Sequence, residues 1–202
     1  MSSNRWIARQ DKDPYVKQAR AAGYRARAAF KLLELDEKDR LLRPGLNVVD
    51  LGAAPGSWAQ VAAEKVGDSG RVVALDILPM DALPGVEIIE GDFREAEALE
   101  ALEAAVGERV DLVLSDMAPN LSGIAASDQA RSMHLAELAM DFARQWLAPN
   151  GRFVVKLFQG EGFDEFIREA RATFKAVRVR KPKSSRRESR EVYLVGDGLK
   201  KS

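Results

Sequence analysis

Cysteine is absent from the 202 residues, and histidine occurs once. Without thiols the chain forms no disulfide and offers no thiolate nucleophile, and a lone imidazole excludes a histidine-based metal centre, so no metal is expected. His134, at helical spacing between Met133 and Leu138, is expected to be a packing residue. Long apolar runs are missing as well. Hydrophobic residues make up 46% of the chain but fall in short stretches, and the N-terminus lacks the apolar core of a signal peptide. A cytoplasmic protein without a membrane span is therefore expected. The length suits one domain over 1–202 with a substantial core, in which 1–35 form a basic N-terminal helical extension and 1–13 are loose.

A net excess of either charge is also missing, since 31 Lys and Arg balance 31 Asp and Glu. The arrangement is less even than the sum. Residues 1–31 carry eight basic side chains against two acidic ones and residues 175–190 carry eight against one, which leaves 15 basic and 28 acidic residues elsewhere. Basic ends on an acidic body are what a polyanion-binding face looks like, because clustered cations release counterions whatever the total charge. Arg20, Arg25, Arg27, Lys181, Lys183, Arg186, Arg187 and Arg190 are the candidate phosphate contacts.

What the chain does contain is organised around Leu46-Asn47-Val48-Val49-Asp50-Leu51-Gly52-Ala53-Ala54-Pro55-Gly56-Ser57-Trp58. β-forming residues run into an acid and a loop of small residues, and a helical pattern over 57–66 follows, so this reads as strand, tight turn and helix N-terminus. Such a turn holds a nucleoside-type ligand. A dinucleotide fingerprint would want G-x-G-x-x-G to crowd amides against a pyrophosphate, whereas Gly52 and Gly56 are separated by Ala-Ala-Pro and Pro55 has no N–H to donate. A loop poor in donors suits a ligand without phosphates, S-adenosylmethionine, with NAD or a nucleotide as the alternative. Asp50, Gly52, Ala53, Pro55, Gly56 and Trp58 are its candidate contacts.

The rest alternates strand and helix. Helices are expected from Pro14 to about Ala22, over 25–35, 95–106, 128–147 and 162–174, and strands over 71–75, 86–89, 110–114, 152–158, 176–180 and 191–195. Alternation of this kind predicts an α/β fold with a mostly parallel seven-stranded sheet, Rossmann-like, closed by an antiparallel C-terminal hairpin because only the polar stretch 181–190 joins the last two strands. The ligand should lie beyond the carboxyl ends of the strands. Acids stand at three of those ends. Asp76, 20 residues after Gly56, is placed for ribose hydroxyls, Asp92 for an adenine amino group with Phe93 near the ring, and Asp116 for the reacting centre. Lys156 interrupts the apolar run Val154-Val155-Lys156-Leu157-Phe158, where an ammonium is costly unless paired. If both chain ends fold over the strand tips, Lys31, Asp116, Lys156 and Glu191 converge.

These motifs resemble those of the FtsJ/RlmE family of RNA ribose 2′-O-methyltransferases. The matching segments are Gly23-Tyr24-Arg25-Ala26-Arg27-Ala28-Ala29-Phe30-Lys31-Leu32, Asp50-Leu51-Gly52-Ala53-Ala54-Pro55-Gly56, Ser115-Asp116-Met117-Ala118-Pro119-Asn120, Val155-Lys156-Leu157-Phe158-Gln159-Gly160 and Ser189-Arg190-Glu191-Val192-Tyr193, in family order. The resemblance implies a Lys-Asp-Lys-Glu catalytic set at Lys31, Asp116, Lys156 and Glu191, and cofactor contacts at Gly56, Trp58, Asp76, Asp92 and Asp116. Ser57 and Ala26 depart from the pattern, where glycine and serine are frequent. The likeness is closest to the bacterial-type enzyme of large-subunit ribosomal RNA. It implies methylation of a 23S uridine ribose. A monomer without a protein partner is expected, and Lys156 is the candidate general base or the group orienting the 2′-hydroxyl. Transfer RNA as substrate and a non-catalytic ribosome-assembly factor are the alternatives. A dehydrogenase lacks its third glycine, and an exocyclic-amine methylase lacks an aromatic after Asp116.

Overall fold

The computed structural model describes residues 13–107 and 109–201; the expectation of a loose N-terminus over 1–13 falls outside them except at Asp13, whose side chain accepts from the Tyr15 amide at 3.0 Å. Thirteen elements follow in order: α1 (Pro14–Ala21), α2 (Ala29–Asp39), β1 (Asn47–Leu51), α3 (Ser57–Val66), β2 (Arg71–Asp76), β3 (Val86–Glu90), α4 (Ala96–Val106), β4 (Val110–Ser115), α5 (Ala125–Trp146), β5 (Leu147–Phe158), α6 (Phe163–Thr173), β6 (Phe174–Arg180) and β7 (Glu191–Leu199). The strands form one sheet in the order β3-β2-β1-β4-β5-β7-β6. Only β7 is antiparallel to its neighbours β5 and β6. The order reverses between β1 and β4, and a crevice at such a point is where open α/β sheets bind ligands.

Alternation along the strands sorts the side chains onto two faces. Val49, Leu51, Val73, Leu75, Val113, Phe153, Val155 and Leu194 pack with Leu102 of α4, Met140 of α5 and Phe166 of α6. Val48, Val72, Ala74, Leu112, Leu114, Val154, Tyr193 and Val195 pack with Leu32 and Leu35 of α2 and Trp58 and Val61 of α3. Asp50, Lys156 and Glu191 have the parity of the second set. The alternation that builds the core therefore also sends these three polar side chains toward α2 and α3.

The secondary structure differs from the sequence reading at few places. Residues 25–28 form a bend and a turn, and α2 instead starts at Ala29 and runs on to Asp39. β5 starts at Leu147, directly after α5, and carries an irregularity: Val110 pairs with Leu147 but Leu112 pairs with Arg152, so one intervening residue of β4 faces four of β5. Pro149 cannot donate to the ladder, and a side chain at Gly151 would sit 2.9 Å from the Ala148 carbonyl, so the segment between the expected helix 128–147 and strand 152–158 is a bulge within β5 and not a break before it. His134 is exposed on α5 and does not pack in the core. Among the described residues no helix is long and apolar enough to cross a membrane.

An ionic network fixes α2 over the sheet. The Asp39 side chain, 3% exposed, accepts from Arg178 Nε at 2.8 Å and from Arg180 Nε and Nη2 at 2.9 and 2.8 Å, while Arg152 Nη1 donates to the Asp39 and Arg40 carbonyls at 2.6 and 2.7 Å. Burial raises the Asp39 carboxyl, but Arg180 and Arg178 outweigh it and hold it below the usual range. A carboxyl depressed on folding stabilises above its unfolded pKa and loses that contribution as pH falls through the folded value. Replacing Asp39→Asn leaves two half-buried guanidiniums without their anion and is expected to cost about 2 kcal/mol near neutral pH. The cost should shrink as pH drops below about 4, read from urea unfolding of both proteins across a pH series.

Candidate active site

Antiparallel pairing puts Lys156 of β5 opposite Tyr193 of β7, and Phe158 opposite Glu191. Asp116 arrives at the end of β4, its amide donating to the Leu51 carbonyl at 3.1 Å. Lys156 Nζ lies 3.2 Å from Asp116 Oδ1 and donates to the Asp116 carbonyl at 2.9 Å. From the first turn of α2, Lys31 Nζ reaches Glu191 Oε1 at 2.6 Å. Two ion pairs thus meet under α2, and all four side chains singled out in the sequence are together.

Tyr193 joins the pairs, and sequence reasoning treated it only as an apolar strand residue. It is fully buried. Its hydroxyl donates to Asp116 Oδ1 at 2.8 Å and lies 3.4 Å from Glu191 Oε1. The signal was its parity: two residues from Glu191 on one strand, it had to share that face. Burial raises the Glu191 carboxyl, but the charge and hydrogen bond of Lys31, the charge of Lys156 and the Ser185 hydroxyl at 3.2 Å outweigh it and hold it below the usual range. Burial, then the charges of Asp116 and Glu191, push the Tyr193 phenol well above its ordinary value. The phenol therefore stays a donor and takes no part as a base.

On the other side of Asp116 lies the turn after β1. Asp76 accepts from the Ala54 amide at 2.8 Å and from the Leu78 amide at 2.8 Å, so it shapes the turn while keeping lone pairs for a ligand's hydroxyls. Asp50 is fully buried and neither of its carboxylate oxygens closes a hydrogen bond. Burial, reinforced by Asp116 and Asp76, pushes its carboxyl well above the usual range, against a weaker pull from the Ala59 amide. The Asp76 and Asp116 carboxylates beside this turn repel a phosphate and suit a ligand that brings positive charge and hydroxyl donors. That set of acceptors fits S-adenosylmethionine, which carries an ammonium, a sulfonium and a ribose, and it disfavours NAD.

Several sequence expectations are corrected by the side chains. Trp58 does not offer its ring to a ligand: it is 2% exposed, donates its indole N–H to the Ala28 carbonyl at 2.8 Å and packs against Tyr193 with centroids 5.5 Å apart. Phe93 turns into the core against Phe142. Asp92 is engaged by Arg94, whose Nη2 lies 2.5 Å away. The glycines of the turn make room for protein more than for ligand. A Cβ on Gly52 would meet Met117 Cγ at 2.7 Å, and one on Gly56 would meet Leu83 and Arg25 at 2.9 and 3.0 Å. Ala53 is buried and Pro55 exposed on the same turn.

The basic residues divide in the same way. Arg27 pairs with Asp13 and donates to the Ser184 carbonyl. Lys181 donates to the carbonyls of Ser189 and Glu191. Arg25 donates to three carbonyls near the turn. These three hold the chain ends in place. Arg20, Lys183, Arg186, Arg187 and Arg190 are exposed, and Arg186 borders a cavity of about 400 Å³ whose wall also includes Lys31 and Glu191.

Solved structures share this architecture. A candidate ribosomal RNA methyltransferase from Plasmodium falciparum matches with a TM-score of 0.78 and 30% identity over 87% of this chain and 98% of its own. A candidate rRNA methylase from Clostridium thermocellum matches with a TM-score of 0.57 and 17% identity over 81% and 94%. A candidate methyltransferase from Streptococcus mutans, solved with S-adenosylhomocysteine, matches with a TM-score of 0.53 and 12% identity over 86% and 96%. The fold is the Rossmann-like methyltransferase fold. Residues 24–199 match the FtsJ-like methyltransferase family, and the chain belongs to it.

Tyr193→Phe removes one hydroxyl and keeps the ring. It is expected to leave the fold intact and to slow methyl transfer by up to about tenfold, the scale of one net hydrogen bond, measured as single-turnover rate at saturating cofactor.

Proposed function

We propose that the protein uses S-adenosylmethionine to methylate a ribose 2′-hydroxyl of ribosomal RNA, and that the acceptor is a uridine of the 23S RNA in the large subunit. The observation that carries this reading is the pair of joined ion pairs, Lys156–Asp116 and Lys31–Glu191, beside a cofactor turn ringed by carboxylates. Family membership supports methyl transfer, and the candidate activity of the 30% identical Plasmodium protein supports ribosomal RNA. The motif resemblance supports the 23S uridine. A ribosomal substrate also implies the cytoplasm, and the reading takes the chain as one catalytic domain acting as a monomer.

S-adenosylmethionine, when bound, supplies a methyl group on a sulfonium, which needs an oxygen nucleophile brought in line. This chain's part is positioning and proton handling. Asp50, Asp76 and Asp116, with the backbone of Gly52, Ala53, Pro55 and Gly56, would hold the cofactor, and Asp92 its adenine edge if Arg94 yields. Lys156 orients the 2′-hydroxyl, and it takes the hydroxyl proton only after its ammonium has released one to solvent. Asp116 fixes the Lys156 ammonium, Tyr193 fixes Asp116, and Glu191 anchors Lys31 at the mouth of the cavity. Exposed Arg20, Lys183, Arg186, Arg187 and Arg190 bind phosphates, giving affinity more than sequence choice.

Two measurements test this reading. Wild-type protein, given tritiated S-adenosylmethionine and ribosomal particles, should produce a 2′-O-methylated uridine on nucleoside digestion, and Lys156→Ala should produce none while still binding cofactor. Base-methylated nucleosides, or near-normal turnover by Lys156→Ala, would contradict it. RNA affinity should fall steeply between low and physiological salt, and arginine-to-alanine changes at Arg186 and Arg187 should each reduce the log–log slope by about 1.

A further inference from the structure

The Arg25 side chain lies where a phosphate contact was expected and does something else. It stands in the turn between α1 and α2, half-buried, and its guanidinium donates to the carbonyls of Pro55 at 3.1 Å, Asp81 at 2.8 Å and Ala82 at 2.9 Å. The first acceptor belongs to the turn after β1, and the other two to the loop after β2, beyond Asp76. A planar group with five donors in fixed directions can tie two main-chain segments at a set spacing, which an ammonium on a flexible stem cannot. Its own backbone is fixed in turn. Gln60 of α3 accepts from the Arg25 amide at 3.2 Å and donates to the Gly23 carbonyl at 2.8 Å. Gly56 fits the same picture, because with φ at 112° and a would-be Cβ 3.0 Å from Arg25 Nη1 it leaves the passage that the side chain occupies. Arg25, Pro55, Pro79, Met80 and Asp81 together border a cavity of about 420 Å³ beside the turn.

We infer that Arg25 is a positioning residue for the cofactor pocket: it staples the 53–56 turn to the 77–82 loop and so sets the distance between the two walls that receive the nucleoside. This rests on the functional reading above for the identity of the ligand, but the staple itself is a property of the ligand-free chain. Its loss should loosen the 77–82 loop and weaken cofactor binding, while RNA affinity, carried by other cations, stays as it was.

The test uses the full chain as wild type, Arg25→Ala and Arg25→Lys. Hydrogen exchange of the ligand-free proteins should show faster exchange of amides in 78–83 in Arg25→Ala, with the core strands unchanged. Calorimetry with S-adenosylhomocysteine should show Kd raised about tenfold in Arg25→Ala and only partly recovered in Arg25→Lys, the scale of losing one or two charge-assisted hydrogen bonds. In steady state the KM for S-adenosylmethionine should rise in proportion with kcat changed less. RNA affinity and its salt slope should match wild type. Unchanged exchange in 78–83 overturns the staple. An S-adenosylhomocysteine Kd within twofold of wild type, with RNA affinity reduced and the salt slope lowered by about 1, overturns the inference and makes Arg25 a phosphate contact. A wild-type protein that binds no S-adenosylhomocysteine, yet shows the exchange difference, overturns the functional reading and leaves the staple standing.

Discussion

The site depends on a buried phenol set between two carboxylates. Tyr193 cannot reach solvent, and its hydroxyl has one proton to give. The proton goes to Asp116 at 2.8 Å, and Glu191, at 3.4 Å, must find its partners elsewhere. Lys31 and Ser185 supply them. Removing either lysine would strand a carboxylate against the ring, which is far more costly than losing an exposed pair. The four charges are therefore coupled, and Lys31 ties them to α2, which is held at its far end by Asp39. Catalytic geometry and the docking of the N-terminal helices are one problem.

The cofactor side obeys a different constraint. Around the turn after β1, carboxylates accumulate with few cations, and Asp50 is left without a hydrogen bond in the interior. Burial and the neighbouring Asp116 and Asp76 push that carboxyl toward its neutral form, which leaves Asp76 and Asp116 as the carboxylates that favour a ligand with positive charge and hydroxyl donors.

Much of this was legible in the sequence for physical reasons. The lysine inside an apolar run pointed to Lys156, and acids at successive strand ends pointed to Asp76 and Asp116, because both signals are local. What was not legible depends on partners far along the chain. Arg27 reaches across 157 residues to the Ser184 carbonyl and Arg25 across 57 to Ala82, and nothing in a run of basic residues distinguishes a cation that holds the fold from one that meets a phosphate. The segregated charge of the two ends is thus partly internal: Arg178 and Arg180 of the basic C-terminal stretch serve Asp39. Gly56 and Trp58 were read as facing a ligand, and instead accommodate Arg25 and the Ala28 carbonyl. In each case the residue type was informative and the direction of the side chain was not.

The central claim is that the Lys156–Asp116 and Lys31–Glu191 pairs and the carboxylate-ringed turn make a single reaction centre. A crystal structure with S-adenosylhomocysteine bound measures this directly. The account predicts the sulfur beside Asp116 with Lys156 Nζ within about 6 Å of it, close enough for one hydroxyl to lie between them. A sulfur more than about 10 Å from Lys156, with the ion pairs unchanged, would contradict it.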